Sequence, residues 1–199
     1  MSDVLTTANS TYGLTLTDVK AHLNVSSTQD DALLTTYIKA AVLGIENRTN
    51  RALMWQTRTL KMDGFTDSRY VHSRRIYPQR SPLKSVTSIG YYNTLGTTAT
   101  LASSDYIVST GDQPGFIGEA YDATWPDTQA RPNSVVVTYV CGHSSVSSAT
   151  VPENIKLAAK QLIGHWYRNR EAVLVGSISK EMEWMVDSLL ESEMTERYG

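Results

Sequence analysis

Cys141 and His143 are the first residues whose types and spacing invite a chemical reading. Two positions apart, they share a face if a strand runs through them, and a thiolate beside an imidazole is a common metal-ligand pair. Zinc needs three or four ligands in defined geometry. The other histidines, His22, His72 and His165, are scattered, and Cys141 is the single cysteine. The spacing therefore predicts a small buried cysteine next to a loop histidine. Ser144 and Ser145 follow His143, but a hydroxyl adjacent to an imidazole in sequence is not a triad, which is a spatial arrangement. The Gly-x-Ser-x-Gly elbow is absent. Gly111-Asp112-Gln113-Pro114-Gly115 lacks a following Lys-Ser/Thr, and its proline interrupts any run of backbone donors, so it reads as a turn rather than a phosphate cradle. Among carboxylates, Trp125-Pro126-Asp127 is the nearest candidate for an aromatic and acidic cleft. Asp30 and Asp31 are better explained by a helix start. Glu181, Glu183, Glu191, Glu193 and Glu196 read as a solvated face around a final helix. No catalytic residue, metal site or cofactor site emerges.

The densest cluster of functional side-chain types is His165-Trp166-Tyr167-Arg168-Asn169-Arg170-Glu171. Two arginines suit the negative end of a helix. Arginine and tryptophan are also frequent interface anchors, so both intrachain packing and subunit contact remain open. Trp184 lies off the apolar stripe of its own helix and is either half covered or part of a docking face. The candidate subunit or partner interface is Trp166, Arg168, Arg170, Glu171, Met182, Trp184 and Met185.

Two amphipathic helices must carry such a surface. The first is predicted from about Asp30 to Thr49, with Leu33, Leu34, Tyr37, Ile38, Ala41, Val42 and Ile45 on one stripe. The second runs from about Pro152 to Arg168, with Ile155, Ala158, Ala159, Leu162, Ile163, Trp166 and Tyr167. The two stripes can bury each other. A shorter helix opens at Thr15, capped with Asp18. Ser27 and Asp30 form a second capping signal, and a last helix spans about Glu181 to Glu191. The chain between Gln56 and Gly142 changes texture. Gln56–Met62, Val86–Tyr92 with a return at Thr97–Leu101, Tyr106–Val108 with Phe116–Ile117, and Ser134–Val140 are predicted strands joined by turns. Ser134–Val140 is apolar on both faces and is placed centrally.

The expectation is an α+β fold in which a bundle of amphipathic helices frames an inserted antiparallel β domain. Its boundaries are a flexible N-terminal arm at 1–13, a helical core at 14–53 and 151–191, a β-rich insertion at 54–142 and a C-terminal tail at 192–199. Ser144 to Thr150 reads as a linker and Ala172 to Gly176 as a short strand or loop. The 199 residues are 41% apolar and 19% charged, enough for one sizeable core and not a disordered composition. A formal net charge of −2 argues against a dedicated nucleic-acid binder. It permits a passage for DNA that does not hold its cargo. A lone cysteine fits synthesis in a reducing compartment. The first residues carry no signal-peptide pattern, and no apolar run approaches the roughly 20 residues of a membrane span.

Three stretches resemble the head–tail connector proteins of tailed bacteriophages, specifically the adaptor that forms a ring beneath the portal. The first is Leu16-Thr17-Asp18-Val19-Lys20-Ala21-His22-Leu23-Asn24-Val25, then Asp30-Asp31-Ala32-Leu33-Leu34 and Glu46-Asn47-Arg48-Thr49-Asn50-Arg51-Ala52-Leu53. The second is Arg131-Pro132-Asn133-Ser134-Val135-Val136-Val137, leading to Gly142. The third runs from Val151-Pro152-Glu153-Asn154-Ile155-Lys156 to Gly164-His165-Trp166-Tyr167-Arg168-Asn169-Arg170-Glu171-Ala172-Val173. The resemblance implies a structural virion protein without catalysis, in a ring of about twelve copies. Its partners would be the portal, a downstream connector or tail protein, and double-stranded DNA passing through a channel without sequence-specific binding. No membrane is implied; the location is the head–tail interface, after assembly in the host cytoplasm. The smaller relatives are mostly helical, so the β region stands out as a long insertion. The carboxy-terminal segment, Met182 to Gly199, would reach toward the portal. Mobile chain ends that order on the portal would keep free subunits from closing early. Two other readings are a tail-completion or stopper protein of the same neck, and a small cell-wall hydrolase. The hydrolase would need two carboxylates about 5–10 Å apart across a cleft.

Overall fold

The computed structural model describes residues 1–8, 12–65, 74–144, 151–169 and 178–194, with backbone alone for 178–183. It separates into two compact units: a β unit built from Met1–Ala8 and Trp55–Gly142, and a helical unit built from Asn9–Met54 and His143–Met194. The sequence expectations for Ser145–Thr150, Arg170, Glu171 and Ala172–Gly176 lie outside the described residues.

The helical unit contains α1 (Leu16–Leu23), α2 (Asp31–Thr49), α3 (Glu153–Arg168) and α4 (Ile178–Leu190), followed by a single 3-10 turn at Glu191–Glu193. Thr15 caps α1 with a full capping box. Its Oγ1 accepts from the Asp18 amide at 3.1 Å, and its own amide donates to Asp18 Oδ2 at 3.3 Å. The Thr15 hydroxyl also donates to Asp18 Oδ2 at 2.5 Å, and this bond, helped by the Thr15 amide, holds the Asp18 carboxyl below the ordinary carboxylate range. Both α1 and α2 end on asparagines in the left-handed region, Asn24 and Asn50, as helix ends commonly do. The second capping signal is corrected. Asp30 occupies the cap of α2, but its side chain does not bond the helix amides. It accepts instead from the Tyr167 hydroxyl at 2.7 Å, while Asp31 pairs with Lys20 at 2.7 Å. Both carboxylates tie neighbouring helices rather than their own first turn.

The α2 stripe buries Leu34, Ile38, Ala41, Val42 and Ile45. The α3 stripe buries Ile155, Ala158, Ala159 and Ile163 in the same core, joined by Val19 of α1 and by Val186 and Leu190 of α4. Tyr37 and Trp166 extend the α2–α3 contact, their rings 5.9 Å apart. Gly164 of α3 faces α1, where a Cβ would make ordinary van der Waals contact with Leu23 at 3.5 Å. Gly13 has φ +70°, and a Cβ there would press on Val151 at 3.1 Å. Only glycine suits that combination.

The β unit holds two antiparallel sheets. The larger has order β1–β2–β8–β4–β5, with β1 Ser2–Thr7, β2 Gln56–Met62, β4 Leu83–Tyr92, β5 Thr98–Thr100 and β8 Val135–Cys141. The smaller has order β3–β7–β6, with β3 Arg75–Ile76, β6 Tyr106–Ser109 and β7 Phe116–Glu119. β8 pairs with β2 on one side and β4 on the other, the central place its apolar run requires. Only one of its faces is fully buried: Val135, Val137, Tyr139 and Cys141 are covered, and Val136, Thr138 and Val140 are half-buried.

The N-terminal arm is also corrected. Ser2–Thr7 is an edge strand laddered onto β2 from Ser2↔Lys61 to Thr7↔Thr57. Its Ser/Thr-rich sequence hides this because most of its side chains remain exposed. The backbone ladder, the buried Asp3 side chain and a hydrogen bond between the Thr6 and Thr59 hydroxyls hold it. The idea of mobile ends that gate assembly does not apply to this segment.

Candidate functional site

The candidate interface residues fall on two helix ends of the helical unit. Trp166 is half-buried against Tyr37, which gives it an intrachain role. Arg168, the last residue of α3, is exposed. On α4, Trp184 is 79% exposed although Val186 and Leu190 of the same helix are buried, and Met185 is half-buried. Trp184 thus points a large apolar surface away from the core its own helix helps to build. Met182 belongs to α4, but its side chain, like Arg170 and Glu171, is outside the described residues.

A polar clasp holds the far end of α4. The Arg51 Nε donates to the Glu193 carbonyl at 2.6 Å, and its guanidinium meets Glu193 Oε2 at 3.4 Å. Asn154 Nδ2 reaches the Leu189 carbonyl, Ser192 Oγ and Glu193 Oε1, each at 3.2 Å. Arg48 pairs with Asp187 one turn earlier. Glu193 is therefore not part of a purely solvated acidic face; it is half-buried because Arg51 and Asn154 converge on it. His143 joins this neighbourhood. Burial and the nearby Arg51 cation lower its basicity, and Glu193 partly offsets them.

The second polar constellation lies in the β unit. On the buried face of β2, Leu60 and Met62 give way to Gln56 and Arg58. The Arg58 Nε donates to Asp3 Oδ2 at 2.8 Å, and an Nη donates to Gln56 Oε1 at 3.0 Å. The Tyr139 hydroxyl donates to the same Asp3 oxygen at 3.1 Å. Burial opposes the charge on Arg58, but Asp3 outweighs it and keeps the guanidinium firmly protonated. Burial also holds the Tyr139 phenol neutral, well above its usual range. A charged residue at an apolar position of the period-two pattern is the signal that could have revealed this cluster from sequence alone.

The residues singled out for chemistry have structural partners. Cys141 is buried in β8 with its Sγ 3.8 Å from the Gln56 carbonyl. Trp125 stacks on Phe65 at 4.9 Å and donates its indole N–H to the Arg74 carbonyl at 3.0 Å. Its backbone amide donates to Glu119 Oε1 at 2.7 Å, and Glu119 Oε2 pairs with Arg74 at 3.1 Å. Asp127 is exposed beside them. Gly115 lies where a Cβ would collide with Leu83 at 2.7 Å, so the Gly111–Gly115 turn serves a close backbone approach. Among the described residues, no three His, Cys, Asp or Glu side chains gather as a metal site. No described helix is long and apolar enough to cross a membrane.

Residues 14–107 match the family described as Phage gp6-like head-tail connector protein. No curated protein matches the sequence. Three solved structures share the fold along the whole chain. One is from the virion of a native gene transfer agent (GTA) particle, with 22% identity and a TM-score of 0.77. A second is from the neck of an empty GTA particle computed with C6 symmetry, at 21% and 0.78. A third is from the neck of a native GTA particle computed with C12 symmetry, at 23% and 0.75. Each likeness covers 100% of this chain and 98% of the other. The family match runs past α2 as far as β6, and the fold matches cover all of it. The β region is thus shared with those neck chains and is not an addition peculiar to this one.

Proposed function

We propose, from the match of residues 14–107 to the family described as Phage gp6-like head-tail connector protein, that the chain is a head–tail connector and a ring subunit seated between the portal and the tail. The head–tail connector role is structural. The single observation that carries the finer reading is the whole-chain likeness to chains from particle necks, one of them computed with C12 symmetry. In this reading the ring has about twelve copies, after the neck computed with C12 symmetry. Each copy meets its neighbours through two different faces, and closure comes from rotation. The portal lies above, a downstream connector or tail protein below, and the genome passes through the middle. A near-neutral subunit of net charge −2 suits that passage, because clustered basic groups on the channel wall would hold sliding DNA by its phosphates.

The portal-facing anchor in this reading is the exposed Trp184, with the half-buried Met185 next to it on α4 and Met182 two residues earlier in sequence. Arg168 is an exposed charge at the end of α3, and Arg170 and Glu171, which follow it in sequence, complete the proposed interface. The clasp of Arg51 and Asn154 on Glu193 ties down the carboxy-terminal end of α4, the helix that carries the anchor.

The test is the mass of the purified protein, alone and after mixing with its portal, by light scattering behind a sizing column. A monomer that becomes a defined ring on the portal is the expected result. A protein that stays monomeric and elutes apart from the portal would overturn the reading.

A further inference from the structure

The β1 edge strand is tied to its sheet in an uneven way. Five of its six residues are exposed, including Val4 at 52% and Leu5 at 43%. The Asp3 side chain is 3% exposed and sits between Arg58 of β2 and Tyr139 of β8. The strand is therefore a backbone ladder with one charged plug. An edge strand on a soluble protein is ordinarily guarded by lysine, proline or shortness. Ser2–Thr7 has no lysine or proline, and its one charge is turned inward and neutralised.

Among the described residues, the side-chain partners of Asp3 lie in β2 and β8, so the socket is the same whichever copy supplies the plug. The strand's own copy has little local advantage in filling it. After Ala8 the chain enters the helical unit, and the β unit resumes only at Trp55. Closing β1 onto β2 within one chain therefore closes a long loop, with a corresponding entropy cost. A neighbour held in a ring offers an equivalent socket at high effective concentration. Strand exchange is a low-cost contact because it reuses native interactions. It is also heterologous, with one giver and one taker on each copy, which is what a closed ring requires. Asp3 Oδ1 is buried without a hydrogen-bond partner among the described residues, leaving one acceptor for a donor brought by a neighbouring chain.

We propose that in the assembled ring β1 is exchanged: Ser2–Thr7 of one copy lies on β2 of the next, with Asp3 seated between Arg58 and Tyr139 of that next copy. This rests on the ring reading above. It adds the segment through which neighbours are joined.

Thr6 Oγ1 and Thr59 Oγ1 are 2.8 Å apart, so cysteines at these positions report which β2 the strand occupies. The experiment uses Thr6→Cys with Thr59→Cys in a Cys141→Ser background. Oxidised samples of the free protein and of rings assembled on the portal are run on a non-reducing denaturing gel. Exchange predicts that most of the ring material becomes covalent dimers and longer multimers, whereas the free protein gives a closed monomer. Mixing Thr6→Cys protein with Thr59→Cys protein before assembly should then yield the mixed covalent dimer. Rings of normal mass whose chains remain closed monomers would overturn the exchange and leave the ring reading standing. Failure to assemble with the portal, by the cysteine variant and by unmodified protein alike, would sink both. If only the cysteine variant fails to assemble, Asp3→Ala decides. Exchange predicts at least a tenfold loss of ring formation while the free monomer keeps its helical core; unchanged assembly would overturn it.

Discussion

The helical unit and the β unit are stabilised in different ways. The helical unit is a packed aliphatic core, with Leu34, Ile38, Ile45, Ile155 and Ile163 all nearly inaccessible. Its polar groups sit at helix ends, in the Thr15 cap, the Asp30–Tyr167 bond and the Arg51–Glu193 clasp. The β unit places its polar group inside the sheet, where Asp3, Arg58, Tyr139 and Gln56 interrupt the apolar face of β2 and β8. Aliphatic packing is forgiving of direction and gives a rigid block. A buried ion pair is demanding of position, because a misplaced partner leaves a buried charge unpaired. The difference suggests a division of labour in which the helical block presents a docking face and the sheet carries a specific strand-to-socket contact.

The largest effect that can test this contrast is Ile155→Ala, in the shared core of α2 and α3. It should cost about 2–5 kcal/mol, read as a lower denaturation midpoint with lost amide protection in α2 and α3. If β8 lost protection equally, the two units would be one cooperative block and the contrast would fail. Arg58→Met comes next. Removing one partner of a buried pair costs about 3–5 kcal/mol when the other charge stays buried. Here β1 is at an edge and can peel away, which caps the loss. The expected result is fast amide exchange at Ser2–Thr7 with β8 still protected.

Trp184→Ala should separate docking from stability. An exposed side chain away from the core leaves stability within about 0.5 kcal/mol. An interface anchor costs more than about 1 kcal/mol in binding, so portal affinity should drop roughly fivefold or more. Equal affinity would move the docking face away from α4. The smallest effect is the pH response of the clasp. The basicity of His143 is lowered in the folded chain by burial and by Arg51. As pH falls below about 6.5, the unfolded chain takes up a proton there more readily than the folded one. Stability present at neutral pH is therefore lost on acidification. His143→Gln should flatten that slope in thermal melts from neutral to mildly acidic pH; an unchanged slope would remove His143 from the account.

Much of the helical unit was legible because its periodicity is strong. The α2 and α3 stripes, the Thr15–Asp18 box and the central place of β8 follow from apolar spacing and capping chemistry. What was hidden depends on tertiary partners. Asp30 looked like a cap, yet a tyrosine far along the chain claims it. Ser2–Thr7 looked like a loose arm, because a strand held by backbone bonds and one plug leaves almost no apolar pattern. Arg51 and Asn154 have no local signature at all. They matter because the end of α4 comes to them. Of the candidate interface, Trp184 was readable as an aromatic off its stripe, and Trp166 was not separable from core packing until Tyr37 was seen against it.

The most direct measurement is the number of copies of this chain in purified, genome-filled particles, counted by mass spectrometry against isotope-labelled peptides. The proposed ring predicts about twelve copies per particle, in keeping with the C12 symmetry with which one similar neck was computed. Absence from the particles, or hundreds of copies as in a shell, would contradict it.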